Sequence, residues 1–280
     1  MSEKQKILSG LLRIDLSPGN HDFRAILSRL ANKYLNKDII EAEKFADKNL
    51  AKYWNWLRIT LDEHLNRSLH PYFFLPERRS FSIACASHEL SACSNAESQY
   101  LGKHLQLRSS ILRQIDRLND REYEALAGVT CDAIGAENFF LTRPGNEGGI
   151  DFFAIIAKQQ DTHSFSKIGS NLRIIGQCKK YASPLAVDKF EQFLQTMQNV
   201  RHRSDRVKEH IPMWFQASRA PIVGWMISHN GFQSGAADEA KQHGIILSDS
   251  LDLAEMLSQS KISFHSLLDI LVADILAKSI

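Results

Sequence analysis

Two apolar runs carry polar residues inside them, and few folds accommodate both. The first is Ile150-Asp151-Phe152-Phe153-Ala154-Ile155-Ile156-Ala157, entered through Gly148-Gly149. The second is Leu172-Arg173-Ile174-Ile175-Gly176-Gln177-Cys178-Lys179. Length and residue type read as buried strands, although short apolar runs also occur in helices. Side chains alternate faces along a strand, so Gln177 and Lys179 point one way and Cys178 the other, into a core. If the two strands pair as a hairpin, Asp151 lies beside them at one end of a sheet. A carboxylate, an amide oxygen and an ammonium then share one small volume. Polar groups set into apolar strands cost free energy unless partnered. A divalent cation and a phosphate are partners that suit this set: the acid holds the metal, and the lysine orients or deprotonates a water. Gln177 stands where a second carboxylate is expected. A neutral amide oxygen is a weaker ligand, so another acid is needed.

A helix supplies one. Asn119 or Asp120 caps a helix that runs to about Ile134 and stops at Gly135. Its apolar face is Tyr123, Leu126, Ala127, Thr130 and Ile134, with Glu122 and Glu124 flanking that face on opposite sides. Periodicity alone does not choose between them. Downstream come a short strand (Asn138 to Thr142), a loop, the two motif strands with a polar connection from Gln159, and a helix from Val187 to Val200. A strand (Pro221 to Ser228), a helix (Ala236 to His243), a strand (Ile245 to Leu247) and a helix (Ser250 to Leu257) follow, then a C-terminal helix, Phe264 to Lys278. This order implies an α/β domain with a mixed sheet, residues 119–280.

Residues 1–118 read differently. An irregular lead-in of about 20 residues ends at Ser17-Pro18-Gly19-Asn20. Helical spacing follows from His21 to Leu35, from Asp38 to Leu69 as one long helix or two short ones, and from Glu97 to Leu118. His70-Pro71 to Pro76 breaks the pattern, and residues 77–97 have no legible period. This half is a mainly helical region without a catalytic motif, a natural interface or sensor.

The motifs resemble a known family. Tyr123-Glu124 in a helix, Gly148-Gly149-Ile150-Asp151, then Gln177-Cys178-Lys179 is similar to the catalytic domain of Mrr-type restriction endonucleases, of the PD-(D/E)xK nuclease superfamily. Ile227-Ser228-His229-Asn230-Gly231-Phe232, Ala236-Ala237 and Ile245-Ile246-Leu247 continue the likeness, which covers about Asn119 to Leu257. The resemblance implies a restriction-endonuclease-like core, a central mixed β-sheet flanked by helices. It implies Glu124 rather than Glu122, with Asp151, Gln177 and Lys179, as the active site. Glu124, Asp151, Gln177 and the backbone carbonyl of Cys178 are then the metal donors, Mg²⁺ is the cofactor with Mn²⁺ substituting, and DNA is the substrate. A role in prokaryotic defence against foreign DNA follows from the family alone. Two departures stand out: Glu147 replaces a frequent Asp, and residues 1–118 do not resemble the family's winged-helix DNA-binding domain.

A net charge of +2 gives no general attraction to nucleic acid, so phosphate contacts must be local. Arg143, Lys180 and Lys189 are the nearest candidates in sequence, ahead of the basic stretch Arg201, His202, Arg203, Arg206 and Lys208. Cleaving both strands of a duplex with one site per chain calls for a homodimer or a partner protein, held through the N-terminal region. Cys85, Cys93, Cys131 and Cys178 make no disulfide framework, and with no apolar run near 18 residues and no signal peptide the expected location is cytoplasmic, off the membrane. Cys85, His88, Cys93 and His104 fit no compact zinc finger. Trp54 and Trp56, with Tyr72-Phe73-Phe74, read as core before they read as a base-stacking surface. Two other functions remain open: a nucleic-acid-binding or assembly subunit with a vestigial site, motivated by Gln177, and a structure-specific resolvase.

Overall fold

The computed structural model describes residues 2–76, 81–144, 149–157, 171–204, 208–260 and 268–278. Glu147 and Gly148, the polar connection from Gln159 to Ser170, Asp205 and Arg206, and the Phe264 start of the C-terminal helix lie outside the described residues. The chain divides into two compact units, Met1–Arg113 and Gln114–Ile280.

The first unit runs α1 (Glu3–Leu11), β1 (Asn20–Asp22), α2 (Phe23–Leu35), α3 (Ile39–Asn66), β2 (Phe73–Phe74), β3 (Ser82–Cys85), α4 (Ala86–Ser91), α5 (Ala96–Leu105) and the start of α6 (Arg108–Arg117). The expected irregular lead-in is therefore corrected: Ser2 and Gln5 close a capping box on α1, and Ile7, Leu8 and Leu11 bury its inner face. The pattern after Asp38 is one helix of 28 residues, capped by the Asp38 carboxylate on Glu41 N–H. The pattern from Glu97 is two helices, α5 and α6. The stretch without a period contains β3, the centre of a small antiparallel sheet ordered β1-β3-β2. Trp54 is buried, edge-on to Phe23 and Phe81 at 5.4 and 5.5 Å between centroids, so it is packing.

The second unit continues with α7 (Asp120–Ala133), β4 (Ala136–Leu141), β5 (Phe152–Ala157), β6 (Asn171–Lys179), α8 (Val187–Arg201), α9 (Met213–Ala217), β7 (Ile222–Ser228), α10 (Ser234–His243), β8 (Ile245–Asp249), α11 (Ser250–Gln259) and α12 (Leu268–Lys278). The sheet has order β4-β5-β6-β7-β8. It is antiparallel across β4/β5 and β5/β6, and parallel across β6/β7 and β7/β8. This is the mixed sheet flanked by helices that the element order implies. Short α9 gives no signal at sequence level. Phe153, Ile175 and Met226 point to one face, where they pack on Phe190, Phe193 and Met197 of α8. Phe152 and Trp225 take the other face, edge-on at 5.9 Å, and α7 packs against β4, β5 and β6. Among the described residues no helix is long and apolar enough to cross a membrane.

Phe152 lies directly opposite Gly176 in the β5/β6 register. A Cβ on Gly176 would fall 1.9 Å from the Phe152 ring, so glycine is what lets the ring close over β6. Gly176→Ala is expected to destabilise the second unit by about 1–3 kcal/mol through overpacking, read as a lower urea midpoint at unchanged m-value.

Candidate active site

The hairpin places the motif residues side by side. Asp151 N–H donates to Gly176 O at 2.9 Å, one step before the Phe152/Gly176 pair. Its carbonyl accepts from Thr142 N–H at 3.0 Å and from the Thr142 hydroxyl at 2.9 Å. Its Oδ2 accepts from Cys178 N–H at 2.7 Å and lies 3.7 Å from Lys179 Nζ. Asp151 is thus held by Thr142, just past β4, on one side and by β6 on the other, with the lysine at hand. Side-chain exposure is 12% for Asp151 and 25% for Lys179, enough for a ligand to reach both.

Gln177 is buried, and its Nε2 donates to Gly149 O at 2.8 Å. The acceptor is a carbonyl, so the NH₂ end must face it, which leaves the amide oxygen as the acceptor end. Gly149 has φ +86, a conformation that favours glycine, and a Cβ there would stand 3.2 Å from Gln177 Nε2.

The two helix acids separate by their partners. Glu122 closes a capping box: Asn119 Oδ1 accepts from Glu122 N–H at 2.9 Å, and Asn119 N–H donates to Glu122 Oε2 at 2.7 Å. Glu124 pairs with Arg121 at 2.7 Å and is 23% exposed. Arg121 also donates to Thr142 O at 2.6 Å, tying the first turn of α7 to the end of β4. Burial pushes the Glu124 carboxyl above its ordinary value, and the charge of Asp151 pushes it further. Arg121 and Lys179 oppose that shift without cancelling it. Two carboxylates that repel in this way form a set that a divalent cation relieves.

Cys178 is buried on the opposite side of β6, as alternation requires. Burial, then the charges of Asp151 and Glu124, hold its thiol well above the usual range, so it is no thiolate ligand. Lys180 donates from Nζ to Asp116 O at 2.9 Å and to Leu118 O, at the end of α6. Lys189 is partly exposed beside Asp188 at 3.9 Å, and Arg143 is exposed in the loop after β4. Arg201 donates to Ile222 O and Arg203 to Gln216 O. Sequence reasoning does not single out Arg121 or Thr142. The i,i+3 spacing to Glu124 signals Arg121, whereas nothing local signals Thr142.

Among the described residues no three His, Cys, Asp or Glu side chains form a group suited to a metal ion. The candidate zinc set has other partners: Cys85 Sγ lies 3.2 Å from Ser87 Oγ, His88 Nε2 lies 3.0 Å from Leu16 O, and Cys93 Sγ donates to Glu89 O. Glu124 and Asp151 are the two acids that share a neighbourhood here, each feeling the charge of Lys179.

No family model matches the chain, and no curated protein matches it. Among solved structures, the DNA modification-dependent restriction endonuclease AspBHI is similar at TM-score 0.40 and 18% identity, over 66% of this chain and 43% of that one. MspJI restriction endonuclease, solved in complex with a 27-mer oligonucleotide, is similar at TM-score 0.37 and 19% identity, over 67% of this chain and 39% of that one. The chain spans less than half the length of either.

The raised Glu124 carboxyl and the Gln177 amide each lead to a stability prediction for the metal-free fold. A raised Glu124 value means that protonation favours the folded state: this contribution is fully present below the unfolded value, about 4.3, and is lost as pH rises through the raised one. Glu124→Gln should therefore raise the Tm of the metal-free protein at about pH 7, with the gain shrinking as pH falls toward that value. Gln177→Glu should lower it by about 1–3 kcal/mol in equivalent free energy, because a carboxylate cannot donate to the Gly149 carbonyl. Scanning calorimetry across pH reads both.

Proposed function

We propose that the chain is a divalent-metal-dependent endonuclease that hydrolyses DNA phosphodiester bonds. The observation that carries this is the juxtaposition of Asp151 Oδ2 and Lys179 Nζ at 3.7 Å, at the sheet end and beside a second acid, Glu124. Glu124, Asp151 and the Gln177 oxygen would hold Mg²⁺, directly or through water, with the Cys178 backbone carbonyl as a further donor. Mn²⁺ would substitute. When bound, the ion neutralises charge on the phosphate oxygens and acidifies water. Lys179 holds the attacking water by hydrogen bonding and lies close enough to Asp151 to keep its ammonium aimed at the scissile phosphate. Arg143 and Lys189 supply phosphate contacts outside the reacting centre. Arg121 holds Glu124 in place.

The Mrr-type resemblance of the motifs adds a role in prokaryotic defence, and the cysteine usage agrees with a cytoplasmic location. With one site per chain, cutting a duplex through both strands takes two chains, so a homodimer, or a partner engaged through residues 1–118, completes the enzyme. Gln177 favours one other reading, a DNA-binding subunit with a vestigial site, because its amide already has a structural duty on Gly149.

Purified protein incubated with plasmid and Mg²⁺ or Mn²⁺ tests this. Nicked or linear product should appear, and Asp151→Ala and Lys179→Ala should each slow it by at least about 10²-fold. Equal loss of plasmid in all three marks a contaminant. DNA binding without cleavage under any metal selects the vestigial subunit, and faster cutting of branched than linear duplex selects a resolvase.

A further inference from the structure

Lys180 follows the proposed catalytic lysine in sequence, and its ammonium is turned away to main-chain carbonyls. Its partners, Asp116 O and Leu118 O, are carbonyls at the C-terminal end of α6 that helix geometry leaves without an intrahelical donor. A cation there also suits the helix dipole. The same segment is met from a second direction. His229 N–H donates to Lys179 O at 2.9 Å, just past the Lys179/Ser228 register pair of β6 and β7. The His229 ring places Nε2 3.6 Å from Asp116 Oδ1 and Nδ1 2.9 Å from Ser250 Oγ. Tyr123 packs edge-on against that ring at 5.8 Å, and its hydroxyl reaches Ser250 Oγ at 3.2 Å. The residue after Leu118 is Asn119, the cap of α7, and Glu124 lies in the second turn of that helix.

Lys180 therefore holds one short segment, 116–118, by hydrogen bonds, and the His229 ring lies against the same segment at Asp116. One reaches it from the strand that carries Lys179, the other from the neighbouring strand. That segment leads directly into the helix that carries Glu124. We infer that Lys180, with His229 behind it, is a positioning residue: the clasp on Asp116 and Leu118 fixes the spacing between the Glu124 helix and the Asp151–Lys179 strand pair. This rests on the nuclease reading for its effect on rate, though not for the clasp itself. It gives Lys180 a role distinct from a contact to DNA phosphate.

The two roles separate kinetically. A phosphate contact acts on binding, so its loss weakens DNA affinity and lowers the slope of log K against log salt by about 1. A positioning residue acts on the geometry of the reacting groups, where an error of about 1 Å costs on the order of 10²-fold in rate.

The experiment compares wild type, Lys180→Met and Lys180→Arg in the full chain. It measures kcat, KM and salt slope on linear duplex, Tm, and amide hydrogen exchange across residues 119–124 in metal-free, DNA-free protein. Lys180→Met should lower kcat by about 10²-fold with KM and salt slope unchanged, and should speed exchange in the first turn of α7. Lys180→Arg, which can still donate to both carbonyls, should recover much of the rate and the protection. A lower salt slope with kcat preserved would overturn the inference in favour of phosphate contact. Unchanged exchange and rate would overturn it outright, as would a rate loss with no local change in exchange. If wild type does not cut DNA while Lys180→Met still loosens residues 119–124, the clasp stands and the nuclease reading fails.

Discussion

The second unit depends on how one carboxylate is held at the end of an apolar sheet. Asp151 is fixed through its main chain to Gly176 and Thr142 and through its side chain to Cys178 N–H. A charged acceptor taking a backbone N–H at 2.7 Å is among the stronger hydrogen bonds available to a protein. It makes β5 and β6 keep their register where the ladder runs out. Because register is shared, the same bonds determine that Gln177 and Lys179 flank the acid. A one-residue slip would turn both toward the Cys178 side, into the core.

The acid helix is set by an independent device. The capping box between Asn119 and Glu122 fixes where α7 begins, and the rotation of the helix then fixes where Glu124 points. Arg121 ties that turn to Thr142, and Thr142 in turn holds the carbonyls of Ile150 and Asp151. The two acids reach one neighbourhood through different chains of bonds, and the arrangement is costly. Glu124 is partly desolvated and repelled by Asp151, with Arg121 and Lys179 offsetting only part. A fold selected for stability alone would place an apolar or neutral residue there. Local destabilisation of this kind is expected where a ligand of opposite charge completes the set.

How much of this is legible in the sequence varies with the kind of signal. The strands β5 and β6 are, because a short β-branched run that tolerates isolated polar residues suits a buried sheet far better than a surface helix. The α7 start is, because Asn119 and Asp120 mark it. Periodicity does not choose between Glu122 and Glu124, since both flank the apolar face; the motif resemblance points to Glu124, and in the structure the cap bond of Glu122 and the Arg121 pair of Glu124 separate them. Helix α1 escapes notice because its polar residues outnumber the three apolar ones that it buries, Ile7, Leu8 and Leu11. The small sheet of the first unit escapes it because strands as short as Phe73–Phe74 carry no period. Lys180 falls among the phosphate contacts because sequence shows a charge but not its direction. The carbonyls it meets at the end of α6 are more than 60 residues away.

Gln177 is the residue whose chemistry says most about the site. It is tempting to see an amide at this position as a carboxylate degraded, but its nitrogen has work that an acid cannot do. The Gly149 turn presents a carbonyl at 2.8 Å, and an ionised carboxylate there would set lone pair against lone pair. An amide satisfies the turn with one end and keeps an acceptor at the other. The amide is thus fixed by the glycine turn that leads into Asp151, a duty that a carboxylate at this position would not perform.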